Sequence, residues 1–435
     1  MTTGTIWRNW AGNQVAQPAL VASPRDVSEL AGLVKAAERD GQRIKAIGSG
    51  HSFTAIGVTD GIHVRLDRLA DLVHADQATG LVTVQGGMSL QRLNTLLDEH
   101  GLALSNLGDI DQQTVAGALS TGTHGTGRKL GGLATQVRAL QLVLADGSMV
   151  SCSPQERPEL FAAARVGLGA LGIIATVTLQ TEPAFSLHAQ ERPMALSAVL
   201  GDFDALVADN DHFEFFWFPH TDKTLTKRNN RLPAGAPLRR LSRPRALLED
   251  ELFGNGIFEL TCRLGRLRPG LIPRINTMAA RLMGDREYAD ASHRVFVSPR
   301  RVRFVEMEYG VPAAAVRAAI AGIGQVIERH ELKVSFPVEV RFTAADDIPL
   351  STASGRESAY LAVHMFKGQP YETYFREVEA VMKDLDGRPH WGKLHYQDAG
   401  TLRGRYPRFE EFLAVRDNVD PGGRFANAYL DRVLG

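Results

Sequence analysis

Hydrophobic positions recur at two periods along the first 180 residues. Residues 27–37 carry apolar side chains at helical spacing behind Ser23-Pro24-Arg25-Asp26, which reads as an N-cap followed by proline at the first helical position. Runs 43–47, 62–66 and 81–85 are short, β-branched and bounded by turn residues, so they read as strands. Residues 89–100 read as a helix closed by Gly101. Residues 137–144, then Asp146-Gly147, then 148–151 carry a hairpin signature. A helix is expected at 159–164 and a strand at 173–180. This first part has an α/β pattern.

The texture changes near residue 184. Residues 213–218 (FEFFWF) read as an aromatic-rich strand, and 231–246 (RLPAGAPLRRLSRPRA) as an irregular surface loop. Further strand or helix signals fall at 302–307, 313–328, 335–341, 360–365 and 374–385. There is no internal repeat.

Composition narrows the class. The chain has 435 residues, enough for two or three domains, with 44% hydrophobic and 23% charged residues, as in a soluble globular protein. Lys plus Arg and Asp plus Glu are both 49, so no global field draws in nucleic acid. Two cysteines, Cys152 and Cys262, provide neither a disulfide framework nor a CxxC site. No export signal or membrane-spanning run is visible, and a cytoplasmic location is the expectation.

Glycine-rich stretches carry the chemistry. Gly167-Leu-Gly169-Ala-Leu-Gly172 matches GxGxxG, but a helix precedes it and a strand follows, the reverse of a dinucleotide fingerprint. Residues 47–53 (IGSGHSF) place His51 in a turn directly after a strand. Residues 116–127 (AGALSTGTHGTG) alternate small residues with hydroxyls, which suits a diphosphate, and lack the lysine of a Walker loop. A tight chain crossing is the competing reading of the second stretch. A metal-dependent hydrolase is disfavoured, because thirteen histidines include no HxH or HExxH spacing.

The two stretches together, about 65 residues apart, resemble the FAD-holding pair of flavin enzymes of the vanillyl-alcohol-oxidase type. Nearly the whole chain resembles one branch, the FAD-linked sugar-1,4-lactone oxidases. These include gulono-, galactono- and arabinono-1,4-lactone oxidoreductases and alditol oxidases, the actinobacterial gulonolactone oxidoreductase group above all. The likeness runs from Trp7-Arg-Asn-Trp10 through GSGHSF, AGALSTGTHGTG and GALGIIATVTL. It continues in FPVEVR (336–341), RPHWGKLH (388–395) and DPGGRFAN (420–427).

The resemblance implies an α+β fold: a two-subdomain FAD-binding domain at 1–183, and a cap domain with a large antiparallel sheet at 184–385. Residues 386–435 would return to the active site. It implies FAD joined covalently through its 8α-methyl carbon to His51. Ile47, Gly48, Ser49, Gly50, Ser52 and Phe53 would line the flavin. Ala116, Gly117, Ser120, Thr121, Thr123, His124 and Gly125 would cradle the diphosphate and adenosine side, His124 as a hydrogen-bonding residue. Gly172, Ile174 and His395 would also border the cofactor.

Glu339 and Arg341, two apart on a strand, point to one face; such a pair is ordinarily a salt bridge, and the resemblance makes it catalytic together with Lys393. Asp109, His364 and Trp391 would shape the substrate pocket, with a satisfied core histidine the competing reading of His364 and packing that of Trp391, and with His390 at the pocket wall or the flavin edge. The implied reaction is oxidation of a secondary alcohol of an aldono-1,4-lactone, with hydride passing to flavin N5 and Glu339 taking or orienting the hydroxyl proton. Oxidation beside the carbonyl gives a 2-keto lactone, which enolises to an ascorbate-type enediol. Gly108 sits where relatives carry glycine or alanine. Glycine leaves oxygen a path and favours an oxidase releasing hydrogen peroxide, against a dehydrogenase using a cytochrome, quinone-type or dye acceptor. Asp109 stands where alditol-oxidising relatives have serine, which turns the expectation from a plain polyol to a lactone. A non-catalytic FAD-fold protein would have no use for Glu339, Arg341 and Lys393 together.

Overall fold

The computed structural model describes residues 5–242, 256–298 and 300–435. Residues 243–246 of the Arg/Pro-rich stretch, and Met1–Gly4 of the N-terminus read above for an export signal, lie outside the described residues.

Three sheets organise the α+β chain. Leu20–Ala22, Ile62–Arg65 and Ile44–Ile47 form a parallel sheet in that order, covered by the helix Val27–Arg39. The cap of that helix is Asp26 rather than Ser23, its carboxylate accepting the Glu29 N–H at 2.8 Å, so Pro24 lies before the helix. An antiparallel sheet follows in the order Met149–Cys152, Val137–Val143, Ile173–Gln180, Leu81–Gln85 and Leu72–Asp76.

The third sheet is antiparallel and eight-stranded: Arg286–Ala291, Ser186–Ala195, Lys223–Arg231, His212–Phe218, Val338–Thr343, Ser358–Phe366, Phe304–Pro312 and Arg388–Pro389. Its central strands obey a strict period of two. Val338, Val340, Phe342, Val305, Met307 and Tyr309 enter one apolar core with residues of the helices Val316–Arg329 and Glu372–Asp384. The alternate residues, Glu339, Arg341, Glu306, Glu308 and His364, therefore share the other face. That face is also buried, so these charged groups must find partners there.

Residues 116–127 are not one loop. Val115–Thr121 is a helix capped by Thr114, and Gly122 at φ +75° ends it. Beyond it the chain is pinned to the large sheet: the Gly127 N–H donates to the Phe342 carbonyl at 2.8 Å, and Thr126 Oγ1 to the Phe213 carbonyl at 2.5 Å. Arg231, expected to open the surface loop, instead ends a strand and makes a bidentate pair with Glu182 at 2.6 and 2.7 Å. No helix among the described residues is long and apolar enough to cross a membrane.

Candidate active site

The turn at residues 48–52 is held from three sides. The Trp10 N–H donates to the Gly50 carbonyl at 2.7 Å, and Asn9 Nδ2 to the Ser52 carbonyl at 3.0 Å. From the C-terminal part, Phe53 N–H donates to the Gly392 carbonyl at 2.7 Å and Thr54 Oγ1 to the Trp391 carbonyl at 3.0 Å. Gly50 adopts φ +72°, which L side chains resist, and an added Cβ would sit 3.2 Å from Trp7. Asn427 Nδ2 donates to the carbonyls of Ala55, Ile56 and Val58, tying in the C-terminal helix Ala428–Leu434.

This turn forms one wall of a groove open to solvent. Ile47, Gly48, Ser49, Gly50, His51 and Ser52 line it from one side; Ala116, Gly117, Ser120 and Thr121 line it from another, with Gly172 and Ile174 beyond. Three properties fit it to a flavin dinucleotide. The backbone N–H groups of Ser49, Gly50, His51 and Ser52 have no hydrogen-bond partner among the described residues, a run of donors suited to a diphosphate. Among the described residues, no aspartate or glutamate lines the groove. Ile47, Ile56, Leu66, Leu168 and Ile173 supply apolar surface for flat rings.

Lys45, missed in the sequence, also lines this groove; it donates to the carbonyls of Gly169 and Phe425, and burial brings its pKa down to about 7.

A second cavity adjoins the groove, and His51, Ser52, Gln113 and Thr121 line both. His51 thus stands at the junction, its ring stacked on Trp10 at 5.6 Å. Burial, with help from Lys393 and Arg303, lowers its pKa to about 4, leaving a neutral imidazole at physiological pH.

The second cavity is lined by charge. Arg341 Nε donates to Glu214 at 2.7 Å and forms an ion pair with Glu339 Oε1 at 2.6 Å, with Asp109 3.5 Å from Nη2. Arg300 pairs with Asp109 at 2.5 Å and approaches Glu339 Oε2 at 3.8 Å. Burial would raise the Asp109 carboxyl, but Arg341 and Arg300 outweigh it and hold it far below the carboxylate range. Glu339 responds differently: burial, backed by nearby Asp109, raises its pKa despite the Arg341 pair. Two carboxylates sharing the same cations are thereby driven apart, an arrangement that separates a permanent anion from a group able to exchange a proton.

Lys393 lies across the cavity, 2.5 Å from Glu306 and 3.9 Å from Glu308. Burial disfavours its charge, and the two glutamates more than compensate, raising its pKa. For Glu306 burial is likewise outweighed, by Lys393 and His364, and the carboxyl falls to about 2. His124 meets Glu308 at 3.1 Å and its own loop through the Gly125 carbonyl at 2.9 Å, and stacks on Tyr360 at 3.6 Å. His390 Nδ1 accepts the Gly392 N–H, and burial takes its pKa to about 4. The clustered His124, Glu308 and His390 have metal-ligand chemistry. Yet this acceptor role of Nδ1 puts the proton of a neutral His390 on Nε2, which leaves no free nitrogen for an ion.

Not every expected residue arrives at the site. Phe53, Thr123 and His124 line the charged cavity rather than the groove. Gly125 borders neither, because it packs where an added Cβ would meet Asn106 and the Leu107 carbonyl at 2.3 and 2.4 Å. Trp391 is core: its indole N–H donates to the Leu350 carbonyl and its ring stacks on Tyr406. His395 is core as well, bonded to the Tyr429 hydroxyl at 2.8 Å, with its pKa pushed by burial to about 3. Gly108, Asp109, His364, Glu339, Arg341 and Lys393 do gather in the cavity. In the cavity, the charged residues that sequence reasoning missed are Arg300, Glu306 and Glu308. The last two could have been found by the argument that singled out Glu339 and Arg341, since Glu306-Met307-Glu308 has the same two-residue spacing on a strand.

Comparison with known proteins gives a consistent answer. A family model described as D-arabinono-1,4-lactone oxidase matches residues 177–433, and one described as FAD binding domain matches residues 18–153. The chain is similar to the L-gulono-1,4-lactone dehydrogenase of Mycobacterium tuberculosis, 44% identical over 433 residues and covering 99% of each chain. It is 35% identical over 441 residues to the L-gulonolactone oxidase of Bos taurus, covering 99% of this chain and 98% of that one. Among solved structures, cholesterol oxidase from B. sterolicum matches with a TM-score of 0.84 at 18% identity, over 99% of this chain and 96% of that chain. That likeness speaks for the fold alone.

Proposed function

The chain belongs to the D-arabinono-1,4-lactone oxidase family and is an FAD-dependent oxidoreductase, and from that premise we propose that it oxidises a secondary alcohol of an aldono-1,4-lactone of the gulono-, galactono- or arabinono- type. The observation that carries this reading is the continuity of an acid-free groove with a cavity walled by Glu339, Arg341, Asp109 and Lys393. We assign residues 1–183 to holding FAD, 184–385 to the cap, and 386–435 to the segment that brings Lys393 back.

FAD held in the groove supplies the acceptor for the two electrons and the carbon-bound hydrogen. The residues of the chain do the rest. Glu339 accepts the proton of the substrate hydroxyl at Oε2, because Oε1 is already committed to Arg341. Its raised pKa makes that transfer easier to drive near neutral pH. Arg341 and Lys393 stabilise negative charge that develops on the substrate oxygen. Asp109, kept ionised, holds Arg300 and Arg341 in place against their mutual repulsion. The product is a 2-keto lactone, which enolises.

His51 is the point of covalent attachment in this reading. Its neutral ring would offer a nitrogen lone pair to the 8α carbon of a bound flavin; an 8α C–H bond would break and the flavin would be left two-electron reduced, for the enzyme's own electron acceptor to reoxidise. Acid or SDS precipitation tests the bond: yellow colour should stay with the pellet, and complete release would limit His51 to cradling. For the acceptor, Gly108 supports oxygen, since its bare Cα leaves space beside Thr123 and the His124 carbonyl. A dehydrogenase is the second reading, favoured by the likeness to the mycobacterial L-gulono-1,4-lactone dehydrogenase. Anaerobic mixing with a panel of aldonolactones and alditols decides the substrate class by which one bleaches the flavin. Admitting oxygen afterwards separates oxidase from dehydrogenase. Failure of every lactone to bleach it would remove the proposed substrate class.

A further inference from the structure

Eleven large hydrophobic side chains stand exposed among the described residues, and six of them fall between positions 257 and 282: Ile257, Leu260, Leu264, Leu267, Met278 and Leu282. That stretch is a pair of helices, Phe258–Leu267 and Ile272–Leu282, joined by a short turn at Pro269–Leu271. The first helix is apolar on two sides. Its inner side buries Cys262 and Gly265 and sets the Phe258 ring against Phe336 at 4.8 Å. At 100° per residue, Ile257, Leu260, Leu264 and Leu267 occupy an arc of about 80° on the other side. Leu267 and Leu282 are 75% and 78% exposed, although leucine gains most by burial. The second helix is anchored inward by Asn276, which donates to the carbonyls of Pro219 and Val334, and turns Met278 and Leu282 outward.

Charge identifies what would cover this face. Residues 257–285 carry five arginines against two carboxylates, in a chain with no net charge. Arg263 pairs with Glu259, while Arg268, Arg274 and Arg281 have no carboxylate partner among the described residues. Arg263, Arg268, Arg274 and Arg281 are exposed, while Arg266 lies on the inner side with its guanidinium over the Phe366 ring at 5.8 Å. A second copy docking isologously would bring arginine against arginine, which repels. An anionic surface that also accepts leucine side chains fits both features.

We propose that the helix pair Phe258–Leu267 and Ile272–Leu282 is a docking surface for a bilayer with anionic headgroups, lying in the interface with its leucines inserted and its arginines on the phosphates. The Phe258 ring on its inner side touches Phe336, which stacks on His364 of the charged cavity, so the docked face backs directly onto the site wall.

Flotation of the purified full-length yellow protein with lipid vesicles tests this. The wild type should float with phosphatidylcholine vesicles containing about 30% phosphatidylglycerol and far less with phosphatidylcholine alone. Raising salt should weaken the binding without abolishing it, since the inserted leucines are not screened. Leu264→Ser/Leu267→Ser/Leu282→Ser should lower partitioning at least ~10-fold. Arg268→Gln/Arg274→Gln/Arg281→Gln should lower it about 100-fold, at roughly fivefold per charge. Flavin absorbance and turnover of dissolved substrate should stay unchanged in both, confirming the fold. Absence of wild-type binding to anionic vesicles overturns the proposal, whatever becomes of the variants. So does unchanged binding of both folded variants, or a dimer that the serine variant dissolves while the wild type ignores vesicles.

Discussion

The groove and the charged cavity meet at His51 and are built from opposite materials. The groove has no carboxylate and presents backbone N–H groups, small residues and aliphatic surface. The cavity is lined by four carboxylates, Asp109, Glu306, Glu308 and Glu339, set against Arg300, Arg341 and Lys393. A main-chain donor array holds an anionic cofactor with groups that do not titrate, and Lys45 is the titratable cation beside it. The cavity must instead exchange a proton and stabilise transient charge. Buried ions do this only when each is paired, because an isolated one costs several kcal/mol. Fixed binding and reactive chemistry are thus separated along one continuous channel.

Breaking the cavity should leave the groove intact, and Arg341 is where this is largest. It is shared by Glu339, Glu214 and Asp109. Arg341→Ala should lower turnover by about 10³-fold or more while the protein remains yellow. It should also cost about 3–5 kcal/mol of stability through the stranded carboxylates. Glu339→Gln, which keeps shape and removes the base, should lose about 10²–10⁴-fold in turnover with less effect on stability. Stopped-flow reduction together with thermal melting reads both. Near-normal reduction in both variants would remove the pair from the chemistry.

A smaller effect should appear in acid. The Glu306 carboxyl falls from its ordinary 4.5 to about 2 in the folded protein, with Lys393 and His364 outweighing burial. A lowered carboxyl binds its proton more readily in the unfolded chain, so its stabilisation is present above about pH 4.5 and lost as the pH falls toward 2. That contribution is about 3 kcal/mol. Glu306→Gln should flatten this limb of the stability profile and lower stability at pH 7, where Lys393 keeps its charge without its nearest partner. Urea unfolding at a series of pH values measures it, and an acid limb as steep as in the wild type would show that other groups set it.

The same contrast explains what could be read in the sequence. The groove was legible because its parts are local: IGSGHSF is one turn after one strand, and AGALSTG provides the opposing wall within seven residues. The helix hidden in that second stretch was not, since glycine, serine and threonine are poor helix formers and only the Thr114 cap and the packing of Val115, Ala118 and Leu119 make it form. The cavity draws on residues 109, 124, 300, 306, 308, 339, 341, 364 and 393, whose encounter depends on strand order across the large sheet. Glu339 and Arg341 were visible through spacing, whereas Arg300 lies in an irregular segment with no period at all. Trp391 and His395 misled because their neighbours do belong to the site. Gly392 and Lys393 face it while the flanking aromatic residues turn into the core. The strands Lys223–Arg231 and Arg286–Ala291 gave no signal, since the first buries only Thr224, Thr226 and Asn229 and the second only Ala289, with no alternation of large apolar and polar side chains.

The smallest perturbation probes the boundary between the two regions. Gly108 lies on the cavity wall close to residues shared with the groove, and an alanine Cβ there would come 3.2 Å from the Thr123 methyl and 3.3 Å from the His124 carbonyl. Those contacts are tight by only a few tenths of an ångström, so Gly108→Ala should fold with less than about 1.5 kcal/mol of cost. Neither Glu339 nor Arg341 touches that methyl, and anaerobic reduction by substrate should keep its wild-type rate. One methyl group in a confined path is worth about 1–3 kcal/mol of discrimination, and the lower end predicts about 10-fold slower reoxidation by oxygen. A cytochrome or dye that takes electrons at the protein surface should be unaffected. The ratio of the two reoxidation rates is therefore the measurement. A variant that reacts with oxygen as fast as the wild type would place oxygen's route elsewhere, and one that slows in reduction as well would mean that the methyl disturbs the charged wall itself.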